Sequence, residues 1–249
     1  MNASGLRGLS GVLRAAGDFF PRCCVLCGKA FDWTRRTAIC PPCFAHIAER
    51  AAEERVVCPS CLRRRPLFAD GICSHCRVAS FHAEPSDAIS ASSLAHYEEP
   101  YARLIHIFKY GGVPQLARDL GALLALGSKE LEGEYLVTWV PLSFRRWLMR
   151  GYSQERLLAR AFARHRGFVC APLLRKVRHN RAQATLDSRE RRENPRGAYA
   201  LRRGCSSVGG RRILLIDDVL TTGATTSVCA GVLLGGGASE VHILTLCCG

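Results

Sequence analysis

Residues 213–226 read ILLIDDVLTTGATT. The unbroken run Ile213 to Ile216 has the pattern of a strand buried on both faces of a parallel sheet. Asp217 and Asp218 close that run, and a Thr/Gly turn leads into the apolar stretch TTSVCAGVLLGGG, which reads as a helix. In such sheets ligands sit beyond the C-terminal ends of the strands. Thr221, Thr222, Gly223, Ala224 and Thr225 therefore stand where backbone N–H groups and hydroxyls can wrap a phosphate at the positive end of a helix. Gly223 permits the close backbone approach. Two carboxylates would repel that phosphate, so Asp217 and Asp218 suit the hydroxyls of an attached sugar, or a Mg²⁺ bound to it.

Outward from this stretch, apolar strands alternate with helical patterns, the order of an α/β domain. SLAHY (93–97) reads as a strand. EPYARLIHIFKY carries apolar residues at helical spacing and is closed by Gly111 and Gly112. VPQLARDLGALLAL reads as a second helix, and YLVTWVPL as a short buried strand ending at Pro141. In SQERLLARAFARHRG, Ser153 is the expected N-cap and Gly167 the expected stop. RRILLIDD and EVHILTLCC are the remaining strands.

The 249 residues can bury a sizeable core, and 48% hydrophobic with 22% charged residues is ordinary for a globular chain. Apolar runs fall far short of the roughly 20 residues that span a bilayer. Residues 1–22 form an N-terminal amphipathic segment in which Gly, Ser and Arg break the apolar run. That segment does not fit a secretory signal, and a cytoplasmic location is expected. The formal net charge of +14 is uneven, since residues 145–212 hold 19 basic and four acidic side chains. So concentrated a segment points to an anionic partner, either polyphosphate or nucleic acid. Its aromatic residues are few and scattered, which favours electrostatic over sequence-specific or strongly stacking recognition.

The chain has 14 cysteines. Without an export signal, they argue for metal over disulfides. Residues 23–78 contain four CxxC pairs: Cys24 with Cys27, Cys40 with Cys43, Cys58 with Cys61, and Cys73 with Cys76. Two thiolates separated by two residues chelate zinc from a tight turn, and two turns complete a tetrahedral site. The spacing predicts a double zinc ribbon with two structural Zn²⁺ ions. Sequential pairing is favoured over interleaved pairing, Cys23 is a possible competitor, and His46 and His75 read as bystanders. Cys170, Cys205, Cys229, Cys247 and Cys248 follow no ligand spacing and read as small buried hydrophobes. Residues 79–92 are expected to link the ribbons to an α/β domain over 93–249.

The run from Ile213 to Thr225 resembles the phosphoribosyl-pyrophosphate (PRPP) loop of type I phosphoribosyltransferases. KYGG (109–112), VPLSFRRWLMRGYSQERLLA (140–159) and RKVRHNRAQATLDSRERRENPRGAYAL (175–201), behind a cysteine-rich module, resemble the ComF family. A type I phosphoribosyltransferase-like parallel sheet flanked by helices is the fold this implies. Asp217 and Asp218 would hold ribose hydroxyls, with Mg²⁺ accompanying PRPP, and Val219 to Thr225, Leu220 included, would hold the 5′-phosphate. Pro141, Leu142, Ser143, Arg145, Arg150 and Gln154 would face pyrophosphate. Arg178, Arg181, Gln183, Arg191 and Asn194 fit a mobile substrate-covering loop. The resemblance further implies a role in DNA uptake during natural transformation, with PRPP or a related sugar phosphate, single-stranded DNA and competence-machinery proteins as partners. The competing expectation is a catalytically active PRPP-dependent phosphoribosyltransferase of nucleotide salvage or biosynthesis. One departure is Tyr152-Ser153-Gln154, where the family pattern usually reads Phe-Asn-Gln.

Overall fold

The computed structural model describes residues 22–31, 37–53, 56–57, 64–65, 67–68, 71–79, 88–177, 197–204 and 208–249. The cysteine-rich part begins with an antiparallel pair, β1 (Arg22–Cys23) and β2 (Ala30–Phe31), followed by helix α1 (Pro41–Glu53). A second antiparallel pair, β3 (Val56–Val57) and β4 (Arg64–Arg65), precedes a short helix α2 (Ser74–Ala79). The α/β domain then opens with β5 (Ile89–His96). This strand starts earlier than SLAHY suggested and takes in residues expected to belong to the linker. Polar Ser90, Ser92 and Ser93 disguised it in the sequence. In the fold, Ser93 Oγ shares hydrogen bonds with Ser74 Oγ (2.6 Å) and Thr245 Oγ1 (2.7 Å), which satisfies these hydroxyls inside the protein.

Helices α3 (Tyr101–Tyr110) and α4 (Leu116–Gly127) follow, then β6 (Leu136–Trp139), α5 (Phe144–Arg150), α6 (Gln154–Arg166) and β7 (Val169–Cys170). An antiparallel pair, β8 (Leu174–Lys176) and β9 (Tyr199–Leu201), flanks the arginine-rich stretch. The chain ends in β10 (Arg212–Leu220), α7 (Ala224–Gly235) and β11 (Glu240–Cys248). A five-stranded sheet runs in the order β5–β11–β10–β6–β7, with every pairing parallel. The expected parallel sheet flanked by helices is therefore present.

Alternation along the central strand β10 sends Leu214 and Ile216 into a layer shared with α3, α4 and α6. Ile213 and Leu215 enter the opposite layer, under α7. All four side chains are fully buried, each stabilising the fold by roughly 1.5–3 kcal/mol. Local signals hold where expected. Ser153 Oγ accepts the Arg156 N–H at the start of α6, and Gly167 takes the left-handed conformation (φ 71°) that ends it. Helices α4 and α6 meet closely at Gly121. A Cβ added there would stand 2.6 Å from Ala161 Cβ and 2.8 Å from the Phe162 nitrogen.

The first ribbon is not an appendage. Cys24, Ile39, Cys40 and Ile47 share a continuous core with α3 and α4. Buried Asp119 of α4 accepts the Ala38 N–H at 2.7 Å, just before Cys40, and the Tyr101 hydroxyl donates to the Ile47 carbonyl at 2.6 Å.

Candidate functional site

The acidic pair lies inside β10, because ladder pairing continues through Val219 and Leu220 to Cys247 and Cys248. The strand thus runs two residues past the end expected from RRILLIDD. Successive residues of a strand face opposite sides. Asp218 follows Ile216 toward α3, where Lys109 Nζ approaches its Oδ2 to 2.9 Å. At this distance the two side chains form a buried ion pair. Asp217 follows Leu215 toward α7, and its charge raises the pKa of Cys229 on that helix, second to burial.

Burial, then the charges of Asp218 and Glu155, hold the Asp217 carboxyl well above the usual carboxylate range. Glu155, buried at the start of α6, is pushed up to about 7 by burial and by Asp218. Lys109 is raised: burial opposes its charge, and Asp218 and then Asp217 outweigh that cost. The charges of Asp217, Asp218, Glu155, Lys109 and Arg150 are thus felt together at the C-terminal edge of the sheet, with Lys109 and Asp218 in direct contact.

The turn after β10 is built as its sequence implied. Gly223 adopts φ 82° and serves as N-cap of α7. The Ala224 N–H points to Thr222 Oγ1 at 3.4 Å, and Thr226 Oγ1 donates to the Gly223 carbonyl at 3.0 Å. Thr221 is exposed, Thr222 and Thr225 are half-buried, and Gly223 and Ala224 are buried.

Pro141, Leu142 and Ser143 form the half-buried connection between β6 and α5, alongside the turn because β6 pairs with β10. Arg145 lies on α5. Arg150 ends that helix, where Nη1 donates to Gln154 Oε1 at 3.1 Å and Nη2 to the Tyr110 hydroxyl at 3.3 Å. Gln154 is fully buried and reaches the Lys109 carbonyl at 3.4 Å, so its side chain braces Lys109 and Arg150. Arg178, Arg181, Gln183, Arg191 and Asn194 lie outside the described residues.

Sequence reasoning did not assign Lys109 or Glu155 to the site. Lys109 stood in the quoted KYGG and Glu155 beside Gln154, but nothing local tells a lysine that it will meet an aspartate more than a hundred positions away.

In the ribbon, the sulfurs of Cys24, Cys27, Cys40 and Cys43 all lie within 4.8 Å of one another, the donor set for a tetrahedral Zn²⁺. Pairing of this site is sequential, and Cys23 stands outside it. Burial opposes ionisation of Cys24, but backbone N–H groups of Cys40, Cys27 and Leu26 outweigh it and bring the thiol to about 7. Cys43 is pushed up to about 12, by burial and then by the neighbouring thiols. Such crowding disfavours bare thiolates and favours a bound dication. Cys73, just before α2, is buried and Cys76 within that helix is half-buried, while Cys58 and Cys61 lie outside the described residues. Cys229, Cys247 and Cys248 are buried as expected.

The domain is a parallel sheet flanked by helices, with an acidic pair and a Thr/Gly turn at the C-terminal edge of its central strand, the arrangement expected of a phosphoribosyltransferase-like fold. The chain is 30% identical over 211 residues to DNA utilization protein YhgH of Escherichia coli O157:H7, covering 81% of this chain and 88% of that protein. It is 30% identical over 161 residues to competence protein F of Haemophilus influenzae, covering 60% of this chain and 69% of that one. Competence protein ComFC of Streptococcus pneumoniae is 26% identical over 236 residues, covering 90% and 98%. The chain belongs to the ComF family, that of competence protein F and YhgH. No family model matches it. Among solved structures, the glutamine PRPP amidotransferase of B. subtilis shares 23% identity at a TM-score of 0.40, over 56% of this chain and 30% of that one.

Proposed function

We propose that the turn after β10 binds PRPP or a related sugar phosphate, and that the protein uses this site while handling single-stranded DNA during natural transformation. The observation that carries the reading is the acidic pair of β10 set directly before the Gly223-capped helix, in a chain of the ComF family. In this reading backbone N–H groups of 221–225 and the hydroxyls of Thr221, Thr222 and Thr225 hold the 5′-phosphate. Asp217 and Asp218 meet the ribose hydroxyls. Mg²⁺ would arrive with the sugar phosphate, and the Asp217 and Asp218 carboxylates are oxygen ligands of the kind it takes. The basic segment supplies counter-charge for a nucleic-acid backbone.

A second reading, transfer of the phosphoribosyl group with release of pyrophosphate, is favoured by the connection 141–143 lying beside the turn. Bound Mg²⁺ and the arginines would then stabilise the leaving pyrophosphate. Titration with PRPP·Mg²⁺, with and without single-stranded DNA, tests the first reading, and pyrophosphate release tests the second. Absence of PRPP binding at millimolar concentration removes both uses of the pocket. Binding without pyrophosphate release in the presence of candidate acceptor bases would leave only the first.

A further inference from the structure

Beside the acidic site, Arg150 also holds a row of aromatic side chains that sugar-phosphate binding leaves unused. Tyr110 directly follows Lys109 at the end of α3 and is 64% exposed. Its ring centroid lies 5.1 Å from that of His106, one turn earlier on the exposed side of the helix. The Arg150 guanidinium sits 5.1 Å from the Tyr110 ring centroid, and Nη2 also reaches the phenol oxygen at 3.3 Å. Arg150 is fixed from behind by buried Gln154. Trp147 precedes Arg150 by three positions on α5, hence on the same helix face, and is 45% exposed. Met149 beside it is 78% exposed.

An exposed tyrosine held in place by an arginine and flanked by other rings is a rigid flat surface. Two occupants compete for it. A protein partner would meet a patch whose centre is depleted of charge. Here the patch has a guanidinium on the ring itself, and Trp147 and Arg150 belong to the stretch 145–212 with its 19 basic and four acidic residues. A nucleobase fits better, because its π-face stacks on tyrosine while its phosphates meet the arginines. Duplex DNA hides those faces and a single strand exposes them.

We propose that Tyr110, held by Arg150 and flanked by His106 and Trp147, is a stacking platform for a base of single-stranded nucleic acid, beside the Lys109–Asp218 ion pair. This rests on the reading of the protein as a single-strand binder. The platform is tested by fluorescence anisotropy with a labelled oligothymidylate and an abasic oligomer of equal length and charge. Tyr110→Ala should weaken oligothymidylate binding about tenfold and leave the abasic oligomer and the salt slope unchanged. Tyr110→Phe should stay within about twofold of the parent, because the ring is kept. Trp147→Ala should lose affinity in the same base-dependent way. An unchanged oligothymidylate affinity in Tyr110→Ala, or equal losses on both oligomers, overturns the platform while single-strand binding stands. If the parent protein binds neither oligomer, the single-strand reading falls and takes the platform with it.

Discussion

Lys109 is paired with Asp218 in a site where Glu155 and Asp217 have raised pKa values, and this sets how the site responds to substitution and to pH. Lys109→Met leaves Asp218 buried without its counter-charge. With the lysine side chain 21% exposed, solvent offsets part of the cost, and a loss of about 2 kcal/mol in urea denaturation at pH 7 is expected. Glu155 and Asp217 both have folded-state pKa values above their ordinary ones. Their protonated forms favour the fold, so stability present below the ordinary carboxylate range is lost as pH rises toward about 7, where Glu155 ionises. Glu155→Gln should flatten that decline, and saturating Mg²⁺ should reduce it in the parent protein. A parent whose stability rises between pH 5 and 7 would contradict the clustering. At this scale the acidic pair and the Thr/Gly turn were legible, because strand, acids and turn are contiguous. Lys109, Glu155 and the grip of Arg150 on Tyr110 were not, since each joins residues through a fold that no local pattern encodes.

Among the elements, the long ones announced themselves. Helix α6 kept its cap and its stop, and β10 and β11 were read from their apolar runs, which His242 and Thr245 interrupt only in β11. The short strands β7, β8 and β9 went unread, because two or three residues carry no usable period. β5 was read late because its serines looked like linker and are satisfied only by tertiary partners. Close packing of α4 on α6 gives an element-scale test. Gly121→Ala sets a methyl group against Ala161 and the backbone nitrogen of Phe162, and overpacking of this kind should cost about 1–3 kcal/mol by thermal or urea denaturation. Asp119 offers another. Burial raises its pKa to about 6, against the backbone N–H groups of Ala38 and Ile39. Asp119→Ala should lose about 1–3 kcal/mol of stability, while Asp119→Asn keeps an acceptor and should lose much less. Equal losses in the two variants would show that the hydrogen bond to Ala38 does not secure the ribbon.

Across the whole molecule, the cysteine spacing made a metal module legible, but not its burial against α3 and α4. Because Cys24 and Cys40 belong to the same core as Leu120 and Phe108, metal and fold are coupled. Metal analysis should find about two zinc per chain, and Cys24→Ser with Cys43→Ser should remove one of them. Chelation should lower the unfolding temperature of the entire chain in a single transition. A separate early transition would mark the ribbon as an independent unit. The charge asymmetry acts at the same scale, since single-strand affinity should fall steeply with added salt.

The central claim is that the turn after β10, together with its acidic pair, is a working sugar-phosphate site, and calorimetric titration with PRPP·Mg²⁺ reaches it most directly. Saturable binding to the parent protein is expected, with loss of detectable heat in the Asp217→Asn, Asp218→Asn double variant. Flat titrations of the folded, zinc-loaded parent at millimolar PRPP, or equal affinity in the double variant, would contradict it.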